Sequence, residues 1–130
     1  MPGTRAQSKN IIDTVAGYSS AAVTAAQILN EYVVVAFGRI TGIKFLAVTA
    51  GSGAGNTVGD VLVNGTSIWA TAGNKPTLLG TSTGEFANTV GDPNKVSVRP
   101  GDRVTLQIAS IPASTGHARV MASVAVEGNA

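Results

Sequence analysis

The chain holds one histidine, seven carboxylates and no cysteine, which leaves little for acid–base, nucleophilic or metal chemistry. Without cysteine there is no disulfide framework and no thiolate site, and His117 alone cannot build a histidine zinc cluster within one subunit. Acyl transfer from a serine needs a base and an orienting group beside it. Serines abound here, but only His117 is available as an imidazole base, and it follows Gly116 where a polar strand-end residue is expected. Asp60, Asp92 and Asp102 are isolated from one another, each in turn-forming surroundings, whereas calcium needs several oxygens in a compact site. Gly51-Ser52-Gly53-Ala54-Gly55 has the composition of a phosphate loop but no lysine and no helix after it, so it reads as a flexible connection. Asn64-Gly65-Thr66 matches a glycosylation sequon, yet Asn-Gly is first of all a turn. Trp69 could be a stacking platform for a sugar, but a strand tryptophan is more often a core or interface anchor. These residues point to no catalytic site, no cofactor and no metal.

The elements that would position such residues are strands. Asp60–Val63, Asn64-Gly65 and Thr66–Trp69 predict a hairpin closed by a two-residue type I′ turn, with Val63 opposite Thr66 and Val61 opposite Ile68. Val61, Val63 and Ile68 then share a buried face. Arg99-Pro100-Gly101-Asp102 predicts a turn that launches Val104–Ile108, a half-buried alternation ended by Ile111-Pro112. In the stretch 118–127, Val120, Ala122, Val124 and Val126 fall on one face. Val33–Phe37 is a β-branched run of strand length, and over 43–48 both alternating faces are apolar enough that both are expected to be covered. Residues 70–95 read as loops with one or two short strands, Leu78-Leu79 and Glu85-Phe86 being the packed candidates.

Residues 1–27 differ from the rest. No period-2 alternation is sustained there; Ser20 suits the cap of a short helix over 21–29, and an extended arm fits the same residues equally. The domain organisation expected is an N-terminal arm over 1–27 and a β-sandwich over 28–130, with the core independent of the first 17 residues. Many short strands between Gly, Pro and Asn turns predict a sandwich or barrel, and no fixed-period repeat suggests a solenoid.

Charged residues make up 12% of the 130, against about 25% in an ordinary domain, while mean hydropathy is +0.25. Such a surface is expected to be covered in part by other subunits, because obligate interfaces are depleted in charge. A net charge of +2, spread from Arg5 to Arg119, does not indicate a nucleic-acid partner. No apolar run is long enough to span a bilayer as a helix, and residues 1–5 lack the run of a signal peptide, so no membrane partner and synthesis in a cytoplasm are expected.

One series of motifs runs in order along the chain: Val58-Gly59-Asp60-Val61-Leu62-Val63-Asn64-Gly65-Thr66-Ser67-Ile68, then Lys75-Pro76-Thr77, Gly84-Glu85-Phe86, and Pro100-Gly101-Asp102-Arg103-Val104. It resembles a group of tailed-bacteriophage virion proteins, the head decoration proteins and head or tail fibre domains, over roughly residues 28–127. The resemblance implies a jelly-roll-like β-sandwich that trimerises on a capsid surface and contacts the major capsid protein, in a virion assembled in the host cytoplasm. The function expected is capsid decoration; the alternative is a fibre-tip or carbohydrate-binding domain that recognises a host surface. An enzyme is disfavoured. For docking on the shell the candidates are Arg5, Ile11, Ile12 and Val15 of the arm, and Trp69 is the anchor of a core or interface.

Overall fold

A computed structural model describes residues 11–19, 25–49, 56–79, 84–85, 96–111 and 117–128. Ten strands are present among them: β1 (Ile11–Ser19), β2 (Gln27–Val33), β3 (Gly38–Thr49), β4 (Asn56–Val63), β5 (Thr66–Ser67), β6 (Thr77–Leu79), β7 (Gly84–Glu85), β8 (Ser97–Val98), β9 (Arg103–Ser110) and β10 (Ala118–Gly128). All pairings are antiparallel and fall into two sheets. The first sheet has the order β1-β10-β3-β7, with β8 also on β3; the second has β2-β9-β4-β5, with β6 also on β4.

The partners are nested in sequence. β1 pairs with β10, β2 with β9, β3 with β7 and β8, and β4 with β5 and β6. Counting β5/β6 and β7/β8 as two interrupted strands leaves eight strand positions. A folded ribbon of such nested pairs, rolled so that β10 meets β3 and β9 meets β4, is a jelly roll. The chain is an all-β sandwich of this topology.

The core lies between the sheets. Ile40, Ile43, Phe45 and Ala47 come from β3; Val61 and Val63 from β4; Val104, Leu106 and Ile108 from β9; Val120, Ala122, Val124 and Val126 from β10. In β3 the inward positions step from 40 to 43, which breaks the period of two. Gly42 takes φ +49 there, and the pairing with β10 shifts register between Ser123 and Ala125. This is a bulge, and it resets the phase so that residues on both sides still face inward. The hairpin register agrees with the sequence: Val63 pairs with Thr66, and Ile68 N donates to Val61 O at 3.0 Å. Asn64 (φ 52) and Gly65 (φ 86) take the two left-handed positions of a type I′ turn. At the later turn, Asp102 N donates to Arg99 O at 3.0 Å and Gly101 sits at φ +94.

The N-terminal expectation needs correction. Residues 11–19 do not form a separate arm, because β1 pairs with β10 from Ile11↔Glu127 to Ser19↔Val120. Residues 27–29, placed in a possible helix by the sequence, begin strand β2, where Gln27 and Ile28 pair across to β9. Gly17 explains why β1 carries small residues rather than a clean alternation: a Cβ there would stand 2.8 Å from Leu29 Cβ. Between the edges of the two sheets, Asn30 Nδ2 donates to Ala16 O at 2.6 Å.

Candidate docking surfaces

Polar residues with chemical potential are mostly spent on the fold. Asp60 faces away from the core on β4, yet it is only 2% exposed because the chain from Ser67 to Pro76 returns over it. Its Oδ1 accepts from Val61 N at 2.8 Å and Ser67 Oγ at 2.7 Å, and its Oδ2 pairs with Lys75 Nζ at 3.0 Å. Gly59 N donates to Pro76 O at 2.7 Å and fastens the same segment. This carboxylate is a clamp with its oxygens occupied. Asp102 is likewise engaged: Asn64 Nδ2 and Arg99 N donate to its two oxygens. Asp92 lies outside the described residues, among which no group of three or more His, Cys, Asp and Glu could hold a metal.

His117 stands at the strand end expected of it, immediately before β10, and is fully buried there, with Nδ1 2.7 Å from the equally buried Thr57 Oγ1. The pair spans from β4 to the start of β10, and so joins the two sheets. Residues 80–84 read Gly-Thr-Ser-Thr-Gly, the G-x-S-x-G spacing of a nucleophile elbow. Such an elbow needs a strand-to-helix turn, whereas this segment runs between strands β6 and β7, and Ser82 lies outside the described residues. Trp69 is 3% exposed and belongs to the core, which withdraws it as a stacking platform. Its indole Nε1 is buried with no hydrogen-bond partner among the described residues.

Two surfaces remain. On the outer face of the first sheet two rungs run across three strands: Ala16–Ser123–Lys44 and Tyr18–Met121–Leu46. With Leu29 at the edge they line an open, mainly apolar groove of about 470 Å³. The sequence led us to expect both faces of 43–48 to be covered; within one chain Lys44 and Val48 are exposed and Leu46 is half-buried.

The second surface follows β2. From Glu31 to Arg39 exposure alternates: Glu31, Val33, Val35, Phe37 and Arg39 face solvent, while Val34, Gly38 and then Ile40 are buried. Val33, Val35 and Phe37 are 59%, 71% and 64% exposed. Their backbone is held from behind. Val34 N donates to Asp102 O at 2.8 Å, Gly101 N to Val34 O at 2.9 Å, and Ile40 N to Val96 O at 2.8 Å. The run 33–37, read from sequence as a β-branched run of strand length, therefore leaves β2 at Val33 and displays Val33, Val35 and Phe37. The signal that could have found it is acid-x-Val-x-Val-x-Phe-x-Arg at strict period two.

Of the docking residues expected in the arm, Ile11, Ile12 and Val15 lie on β1, and Arg5 lies outside the described residues. The side chains of residues 11–15 lie outside the described ones. Comparisons with protein-family models, curated proteins and solved structures found no match for this chain.

Proposed function

We propose that this chain is a structural virion subunit, a decoration protein that assembles with copies of itself and binds the outer surface of a phage head. The observation that carries the proposal is the row Val33, Val35 and Phe37, displayed on a chain with only 12% charged residues. Three large apolar side chains at alternate positions, on the order of 300 Å² of surface, make an exposed apolar patch of a size often found at functional sites. The jelly roll supports the reading, since that topology is shared by viral capsid domains, although lectins and cupins use it too. The motif series from Val58 to Val104 supports it independently. On this reading the protein binds only the assembled shell and so shifts the equilibrium towards it. The trimer implied by the resemblance belongs to the same proposal.

The test is to add purified protein to phage heads that lack it and to image the particles. Ordered density for the sandwich on the outer shell, with raised resistance of the heads to heat, is expected. Failure to bind heads, or density at a fibre tip, refutes the proposal; the second result would favour recognition of a host surface.

A further inference from the structure

We propose that the row from Glu31 to Arg39 is a self-complementary contact that joins two copies of this chain about a two-fold axis near Val35. The inference deepens the assembly reading above and rests on it for the biological role of the contact.

The argument starts from the order of the exposed side chains: Glu31, Val33, Val35, Phe37, Arg39. An acid stands at one end, a base at the other, and three apolar groups between them. Laid antiparallel on a second copy, Glu31 meets Arg39, Val33 meets Phe37 and Val35 meets Val35. An isologous contact requires this property, that one patch be its own complement. A parallel arrangement would oppose like charges.

The surroundings favour a copy over a strongly acidic or basic partner. Glu31 Oε2 already accepts from Arg103 Nε at 3.3 Å and Thr105 Oγ1 at 3.0 Å, which fixes the carboxylate at the end of the row. Arg39 is exposed, with no ion-pair partner among the described residues. The row thus carries an acid and a base at its two ends around an apolar centre, Glu31 held by Arg103 and Arg39 opposite Glu127 of β10. A uniformly acidic surface would meet Glu31 with repulsion, and a uniformly basic one would meet Arg39. The backbone hydrogen bonds at Val34 and Ile40 hold the row in place before contact, so little chain entropy is lost on docking.

The experiment is sedimentation equilibrium or light scattering on the full chain, over a concentration series reaching the hundreds of micromolar. The wild-type mass is expected to reach an even multiple of 13.0 kDa, six copies where two trimers pair through the contact. Val35→Glu places two carboxylates at the axis, and it should halve that mass or weaken association at least 100-fold, with an unchanged melting temperature because Val35 does not contribute to the core. Arg39→Glu alone should weaken association about tenfold. Mixing Arg39→Glu with Glu31→Arg chains should restore it, since each then presents the other's complement.

A monomer at every concentration overturns the contact, as does failure of the mixture to associate while both variants remain folded. A wild-type trimer that Val35→Glu leaves intact overturns the two-fold contact but leaves the decoration reading standing. Failure of the self-associating wild-type protein to bind heads would overturn that reading and leave the contact intact.

Discussion

Replacing Gly59 with alanine should destabilise the sandwich through one atom. Gly59 lies on β4 with its Cα against the ring of Phe45, which comes from β3 in the opposite sheet and is fully buried. A Cβ at this position would stand 2.5 Å from Phe45 Cε2, 2.7 Å from Cδ2 and 2.9 Å from Cζ. Carbon atoms sit comfortably at about 3.5–4.0 Å, so the ring must retreat by roughly 1 Å. It has nowhere to go in an interior packed as densely as a crystal. Overpacking of this kind costs about 1–3 kcal/mol. Losing glycine's freedom in the unfolded chain returns about 0.4–1 kcal/mol. The net expected loss is about 1–2 kcal/mol, a fall in Tm of roughly 4–8 °C for a domain of this size.

The assay is thermal unfolding by calorimetry, with a urea titration to confirm that the m-value is unchanged. Phe45→Leu supplies the control. Alone it leaves a gap and should destabilise; combined with Gly59→Ala the new methyl group enters that gap. The double variant should therefore be more stable than the sum of the single losses by about 1 kcal/mol. A Gly59→Ala protein that melts at or above the wild-type temperature, or a strictly additive cycle, would refute the inter-sheet contact as drawn.

Other outcomes follow from the same structure. Gly65→Val should cost about 1–3 kcal/mol, read as a lower urea midpoint, because φ +86 is strained for a β-branched residue. Lys75→Met should cost about 2–4 kcal/mol by leaving the Asp60 carboxylate buried without its partner, and adding Asp60→Asn should recover much of that in the same melt. Deleting residues 1–19 removes β1, bares the edge of β10, and should produce a lower Tm with aggregation.

Features fixed by neighbours in the chain were legible in the sequence. Asn64-Gly65 specified its turn because only φ > 0 at both positions closes a two-residue hairpin with the right twist, and the register of Val61, Val63 and Ile68 followed. Val120 to Val126 kept a clean period of two and are buried as that pattern implied. What was not legible depends on partners far away. β1 has no alternation to betray it, since Gly17 is small to admit Leu29 rather than to fill a core position. The inward step from Ile40 to Ile43 is set by a bulge against β10, and a pattern search takes it as a break at Gly42. Burial of Asp60 depends on a returning segment that supplies Ser67 and Lys75. Val35 and Phe37 look like core by residue type; only the place where β2 ends turns them outward.

The two outer faces of the sandwich explain how a charge-poor chain divides its apolar surface. The second sheet covers part of its own exterior with the Ser67–Pro76 return, fastened by Asp60 and Lys75, and the residues beneath are buried. The first sheet does not, and its groove stays open. If the low charge were only a matter of Ser and Thr replacing Lys and Glu, large exposed apolar groups would be scattered singly, as on most monomers. Six large apolar side chains are exposed among the described residues, and three of them stand at successive alternate positions, with charges of opposite sign at the two ends. A row of about 300 Å² per copy is well short of the roughly 800 Å² per partner of a stable pair. One such contact is therefore weak. Repeated among copies held by another surface, as on a lattice, each further contact becomes intramolecular and the same weak pairing is multiplied. Two free copies therefore pair through the row only towards the upper end of a concentration series, and more strongly where neighbours are already in place.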